Sequence, residues 1–231
     1  MPDNKMLGIV FSNMHDDFLS ELTLHRTTAS VPFGGRYRLI DFTLSNMVNS
    51  GIDRVGIIAK SNYHSLMDHV GSGKEWDLAR KRGGLTILPP FSRTGAGMYR
   101  GNLDALYGVS AYIKTSQAKY VLICDCDVIA NADFTAVLEA HKASGAGITL
   151  VYGRENVTPE IRDDMVTLDI GADGFLLDAM ANPQQGGEQN VYLNAAVFDR
   201  ELLLRLVGDG VSHEKYSIQD ILQEQARART V

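Results

Sequence analysis

The sequence predicts an α/β fold with a mostly parallel sheet and helices on both faces. Short apolar runs alternate with segments whose apolar residues recur at helical spacing, and glycines close several of those segments. The strand-to-helix intervals suit βαβ units, which cross over right-handedly. The chain has 231 residues, 45% of them hydrophobic and 22% charged, enough for a full core without disulfides. No internal repeat, low-complexity tract or linker interrupts it, so a single domain over 1–231 is expected.

Residues 7–11 (LGIVF) read as a buried strand, followed by a polar loop to about residue 30. Residues 38–50 place Leu39, Phe42, Leu44, Met47 and Val48 near helical spacing, with Gly51 as the stop. Residues 54–59 (RVGIIA) predict a second strand, and residues 63–70 a short helix ended by Gly71. From 83 to 97 the Gly, Pro and Ser content predicts a surface loop, interrupted by a short apolar run at 85–88. A helix is expected over 102–114, a third strand over 119–128 and a helix over 134–144. A fourth strand follows at 148–152. Beyond Gly153 the pattern changes: runs at 165–170 and 175–180 flank Gly171-Ala172-Asp173-Gly174, a hairpin signal. A strand at 192–198 and helices at 199–207 and 217–229 complete the series, the last opened by a Ser-x-x-Asp capping pattern.

Composition and motifs narrow the function. The longest apolar run is the five residues 120–124, where a membrane helix needs about 20. The N-terminus has no signal-peptide pattern, so a cytoplasmic protein with no membrane partner is expected. Two cysteines, Cys124 and Cys126, make neither a disulfide framework nor a four-cysteine zinc site. No histidines pair at i, i+3 or i+4. The G-x-G-x-x-G, G-x-x-x-x-G-K-[ST] and G-x-S-x-G signatures are all missing, which disfavours dinucleotide oxidoreductases, P-loop ATPases and serine hydrolases. The net charge of −6 hides an asymmetry: residues 20–100 carry eleven Lys and Arg against six acids, leaving −11 elsewhere. A basic segment in an acidic chain suits a small anion such as phosphate, or is simply a solvated face. The overall sign disfavours nucleic acid.

Asp125 and Asp127 fall where the third strand ends, and ligands of open parallel sheets sit beyond those ends. Residues i and i+2 share a face, so both carboxylates could approach one Mg²⁺. Asp-x-Asp is equally an acidic strand-to-loop junction. Cys124 and Cys126 are most simply small apolar residues. In Tyr99-Arg100-Gly101-Asn102-Leu103-Asp104, glycine permits close backbone approach and the following helix offers N–H groups to an anion, while Asn102 is equally a good N-cap.

Several segments together resemble the glucose-1-phosphate adenylyltransferase (ADP-glucose pyrophosphorylase) family. Phe33-Gly34-Gly35-Arg36-Tyr37-Arg38-Leu39-Ile40-Asp41-Phe42-Thr43-Leu44-Ser45-Asn46 resembles its FGG-[KR]-[FY]-R-[IL]-ID-F-x-LSN block. Tyr99-Arg100-Gly101 with Asp104-Ala105 resembles its YRGTADA segment, and Asp127 aligns with the metal-binding aspartate of its GDH motif. Ser212-His213 with Asp220 resembles its SHDFGKD segment. The resemblance implies a Rossmann-like, GT-A-like nucleotidyltransferase fold and attack of glucose 1-phosphate on the α-phosphorus of ATP, giving ADP-glucose and diphosphate. It implies Asp127 as the catalytic residue if the chain is active, and Mg²⁺ on Asp127 and Asp125. It also implies nucleotide or sugar-phosphate contacts from Arg26, Arg36, Arg38, Tyr99, Arg100, Gly101, Asn102 and Asp104. The family's C-terminal β-helix is not expected within these residues.

The departures matter as much. The family's GGxGxRL loop after the first strand is here Ser12-Asn13-Met14-His15-Asp16-Asp17-Phe18-Leu19, which lacks glycine and adds carboxylates. A lysine of the family's K-P-A-V motif falls at Thr28, the EKP lysine at Asn182, and the glycine of GDH at Cys126. One preorganised contact is worth roughly 10²–10³ in rate, so these losses together imply a rate lower by several orders of magnitude. The pattern resembles the GlgD branch, regulatory-type subunits that join a catalytic partner. It implies a weakly active or inactive subunit in a hetero-oligomer, a tetramer, with ATP, ADP-glucose or sugar phosphate as ligand. A competent sugar-phosphate nucleotidyltransferase and a sugar-nucleotide sensing module are the other readings.

Overall fold

A computed structural model of the chain describes residues 5–12, 16–81, 83–90, 99–158, 165–183 and 186–231. Strand β1 (Met6–Phe11) is buried at every position. A two-stranded ribbon, β2 (Pro32–Phe33) and β3 (Tyr37–Arg38), leads into α1 (Leu39–Asn49), which buries Ile40, Leu44 and Met47 at i, i+4 and i+7. The Asp41 carboxylate accepts from the Arg38 N–H at 3.0 Å and so closes the first turn of α1. Then come β4 (Arg54–Ile58), α2 (His64–Val70) and β5 (Gly84–Leu88).

Beyond them lie α3 (Asn102–Gly108), α4 (Ser110–Lys114), β6 (Tyr120–Asp125) and α5 (Phe134–Ser144). Asp133 caps α5 by accepting from the Thr135 and Ala136 N–H groups. The last third holds β7 (Ile148–Val157), β8 (Val166–Ile170), β9 (Leu176–Ala181), β10 (Gly187–Asp199), α6 (Arg200–Ser212) and α7 (Ile218–Arg227).

The eight strands other than β2 and β3 form one sheet of order β5-β4-β1-β6-β10-β8-β9, with β7 also paired to β10. β5, β4, β1 and β6 run parallel, the α/β core that the alternation predicts. β10 enters antiparallel to β6, β7 and β8, and the hairpin at Gly171–Gly174 joins β8 to β9 as its turn residues predict. Ala195 pairs with both Cys124 and Val151, so β6 and β7 flank β10 on opposite edges. Two cores cover the two faces. One joins α1, α2 and α5 through Leu44, Met47, Leu66 and Leu138, and the other joins α3, α4, α6 and α7 through Leu106, Ile113, Leu203 and Leu222.

Four expectations are corrected. Residues 85–88 are not loop: they form most of β5, whose parallel partner Arg54–Ile58 is remote in sequence. The helix expected over 102–114 is two, parted at Val109. The third strand ends at Asp125 rather than 128. β7 and β10 are longer than predicted, because beyond the core they pair with each other through polar residues. No helix among the described residues is long and apolar enough to cross a membrane.

Candidate functional site

The strand order sets the site. β4 lies on one side of β1 and β6 on the other, so the strand order reverses between β1 and β6, and the crevice outside the carboxyl ends at such a point is where open α/β sheets take ligands. Phe11 and Asp125 are register partners at its lip. One residue on, the Cys126 thiol lies 3.8 Å from the Ser12 carbonyl oxygen.

On the β6 side, burial alternates. Cys124 and Cys126 are buried while Asp125 and Asp127 are half-buried, so the two carboxylates lie away from the thiols although Asp127 is past the strand end. Burial raises the Cys126 thiol well above its usual value, and the charges of Asp127, Asp125, Cys124 and Asp16 add to it. Cys124 is raised likewise, by burial and then by Asp125 and Asp127. Both stay protonated, small apolar residues rather than nucleophiles. Tyr192 of β10 stands in the same field: burial and then Asp125 and Cys124 push its phenol up. Sequence reasoning missed Tyr192, whose strand neighbours β6 only after the long β10 pairing forms.

The acidic loop is braced from α1. Asn46 Nδ2 donates to the Ala130 carbonyl at 2.7 Å, and Ser50 Oγ accepts from the Phe134 N–H at 2.9 Å. Asn46, the last residue of the recognised block, and Ser50 beyond it thus hold this loop. A cavity of about 40 Å³ behind the lip is lined by Thr43, Asn46, Cys124, Asp125 and Ala195 among others. Two carboxylates one residue apart fit Mg²⁺, which takes one or two and completes its octahedron with water and phosphate oxygens. No group of three or more His, Cys, Asp or Glu that could hold a metal occurs among the described residues.

The β1 side is closed differently. Asn13, Met14 and His15 of the departing loop lie outside the described residues, as do Arg82 and Arg93 of the basic segment. A 3₁₀ turn at Asp16–Leu22 follows, and Asp16 Oδ1 accepts from both the Thr28 N–H and the Thr28 hydroxyl, each at 2.8 Å. Two positions that depart from the recognised pattern therefore bond to each other. Thr23 Oγ1 donates to the Asp16 carbonyl at 2.5 Å, Ala29 N–H to the Ser12 carbonyl at 3.0 Å, and Ser30 Oγ to the Thr27 carbonyl at 3.0 Å. Ser12, Thr23, Thr27, Thr28 and Ser30 are all buried. Hydroxyls thus stitch residues 23–30 to one another and to Asp16.

The other predicted residues disperse. Arg38 Nη1 donates to the Ser65 carbonyl at 2.6 Å and hydroxyl at 2.8 Å, tying α1 to α2. Asp41 also meets His69 Nε2 at 2.5 Å. Arg36 is exposed, its guanidinium 5.3 Å from the Tyr37 ring centroid, and Arg26 is half-buried behind the Thr23 turn. Tyr99 packs on the second core. Arg100 stacks 3.8 Å from the Tyr216 ring centroid, bonds its hydroxyl, and bonds Asp104, which raises the guanidinium further.

Gly101 lies so close to Tyr216 that a Cβ would overlap its carbonyl oxygen. Asn102 does not cap its own helix: its Oδ1 accepts from the Ile218 N–H at 2.7 Å, at the start of α7. This segment clasps α3 to residues 212–218. Asn182, where the sugar-phosphate lysine is expected, has a positive φ and donates its N–H to the Met165 carbonyl at 2.8 Å.

Comparison with known proteins shows the family. The family described as Nucleotidyl transferase matches residues 18–227. The chain is 36% identical over 230 residues to the glycogen biosynthesis protein GlgD of Geobacillus stearothermophilus, covering 99% of this chain and 57% of that one. It is 36% identical over 199 residues to the glucose-1-phosphate adenylyltransferase of Pseudothermotoga lettingae, covering 86% and 47%. It is 40% identical over 156 residues to the GlgD of Bacillus subtilis, covering 66% and 44%. The chain spans about half the length of the curated relatives it matches.

Proposed function

The chain belongs to the nucleotidyl transferase family, and from that premise we propose that it is a regulatory, weakly active or inactive subunit of a glucose-1-phosphate adenylyltransferase. In this reading the complex makes ADP-glucose and diphosphate from ATP and glucose 1-phosphate in bacterial glycogen synthesis, in the cytoplasm. A catalytic subunit, joined in a hetero-oligomer that we take to be a tetramer, does most of the chemistry. The names of the relatives support the pathway.

The observation that carries the reduced role is the Asp16–Thr28 pair. It places a carboxylate and its two donors at the β1 side of the crevice, where nucleotide phosphates are expected. A fixed negative charge there opposes polyphosphate rather than neutralising it, the reverse of what phosphoryl transfer needs. Asp125 and Asp127 would hold Mg²⁺, which when bound neutralises charge on phosphate oxygens. Arg26 and Arg36 are proposed contacts for a ligand anion. Arg38, Arg100, Asn102 and Asp104 are already engaged within the chain, and in this reading they shape the site more than they touch ligand.

The test measures ADP-glucose formation by this chain, by a catalytic glucose-1-phosphate adenylyltransferase subunit, and by the two together. The chain alone is expected to give less than about a hundredth of the catalytic subunit's rate, following from roughly 10²–10³ per lost contact, and the mixture to exceed the catalytic subunit alone. A chain that matches the catalytic subunit unaided would refute the proposal. The retained Asp125/Asp127 pair favours a second reading, a competent enzyme, and unchanged activity in Asp127→Ala would sink that one.

A further inference from the structure

The closed β1 side deepens the proposed function and rests on it. A carboxylate oxygen held at once by a backbone N–H and a hydroxyl is an anion in a donor pair, the arrangement that proteins use for phosphate oxygens. Thr28 is 2% exposed, and both its donors reach the same Asp16 oxygen at 2.8 Å.

The donors are positioned independently of their occupant. Ser30 N–H bonds the Thr27 carbonyl at 3.0 Å, Val31 N–H the Thr28 carbonyl at 3.0 Å, and Ala29 N–H the Ser12 carbonyl at 3.0 Å. The turn that presents Thr28 is therefore tied to the end of β1. Asp16 arrives from a separate 3₁₀ turn, kinked at Ser20 (φ 40°, ψ −103°) and held to it through Thr23. The Ser12 carbonyl that takes the Ala29 N–H also lies 3.8 Å from the Cys126 thiol, so the turn that holds Asp16 sits beside the carboxyl ends of β1 and β6.

We propose that Asp16 is a built-in occupant of a phosphate subsite whose donors are the Thr28 N–H and hydroxyl, excluding the diphosphate portion of a nucleotide by filling its place. Removing the carboxylate frees both donors and removes one charge that repels phosphate.

The experiment is calorimetric titration of the 231-residue chain with inorganic diphosphate. Asp16→Ala is expected to bind about tenfold or more tightly than the unaltered chain, as suits a hydrogen bond to a charged group. Asp16→Asn keeps the acceptor without the charge and gives a smaller gain in the same direction, which covers the case that Asp16→Ala fails to fold. Adding Thr28→Val to Asp16→Ala takes back most of the gain. Glu139→Gln on α5, which changes net charge equally, leaves affinity as it was.

Folded Asp16 variants without a gain would overturn the subsite. So would an equal gain in Glu139→Gln, which would show bulk charge at work, or a gain untouched by Thr28→Val. None of these outcomes bears on the co-assay of the unaltered chain with a catalytic subunit, so the two proposals fail separately.

Discussion

The two lips of the crevice are built on opposite plans. On the β6 side, the loop that follows Asp125 is braced from beneath: Asn46 of α1 and Ser50 just after it bond the loop, and Phe134 anchors its far end in the core. On the β1 side, the hydroxyls of Thr23, Thr28 and Ser30 turn the segment in on itself, and Asp16 uses up the Thr28 donors. One lip is braced from outside its own segment while the other is bonded within it. A few side chains in a single connection can thus change how one edge of the scaffold is held together.

That contrast can be broken in three ways. Phe134, 4% exposed at the start of α5, backs the β6 lip. Phe134→Ala should cost about 3–5 kcal/mol in urea unfolding and loosen residues 126–133. A loss below about 1 kcal/mol would mean that the loop does not depend on the core, against the usual cost of such truncations.

Asn46→Ala removes one hydrogen bond and Thr23→Val a hydroxyl shared between the Asp16 and Ser20 carbonyls, and each should cost about 1 kcal/mol. Their local effects should separate. Amide exchange should quicken over 126–133 in Asn46→Ala and over 16–28 in Thr23→Val. Exchange that quickens on both lips in either variant would show that the two sides are one unit.

The smallest effect concerns pH. Burial holds the His141 imidazole below its ordinary 6.5, although Asp199 at 3.7 Å pulls the other way. The native state therefore takes up this proton at lower pH than the unfolded chain. The resulting stabilisation is complete above about 6.5 and is lost as pH falls from there toward the native value. The melting temperature should decline over that window, and His141→Gln should flatten the decline. A slope unchanged in His141→Gln would assign it to other groups.

Much of the fold was legible because α1, α5 and the buried strands β1, β4 and β6 carry their periodicity locally. Residues 85–88 were not, since three apolar residues and a threonine between glycines and prolines become a strand only when Arg54–Ile58 supplies the hydrogen bonds. The polar arms of β7 and β10 were hidden for the same reason. At the site, Asp125 and Asp127 could be placed from the strand end alone. The Asp16–Thr28 contact could not, because twelve residues of turn separate two side chains that have no pattern to align them. Arg38 and Arg100 read as anion contacts because a cation in a loop has no sequence mark that tells an internal partner from an external one.

The register of β1 against β6 sets a condition on how the crevice can come into being. Met6 pairs with Tyr120 and Phe11 with Asp125, so each lip residue finds its neighbour only after more than a hundred residues of chain have been closed into a loop. Such closure costs entropy that grows slowly with length but must be met before any pairing is gained, and parallel pairing at long separation is slow. A fragment ending after β4 would hold Asp16 and Thr28 and yet have no crevice for them to fill. During synthesis, the Asp16–Thr28 contact can therefore close before β6 arrives to pair with β1.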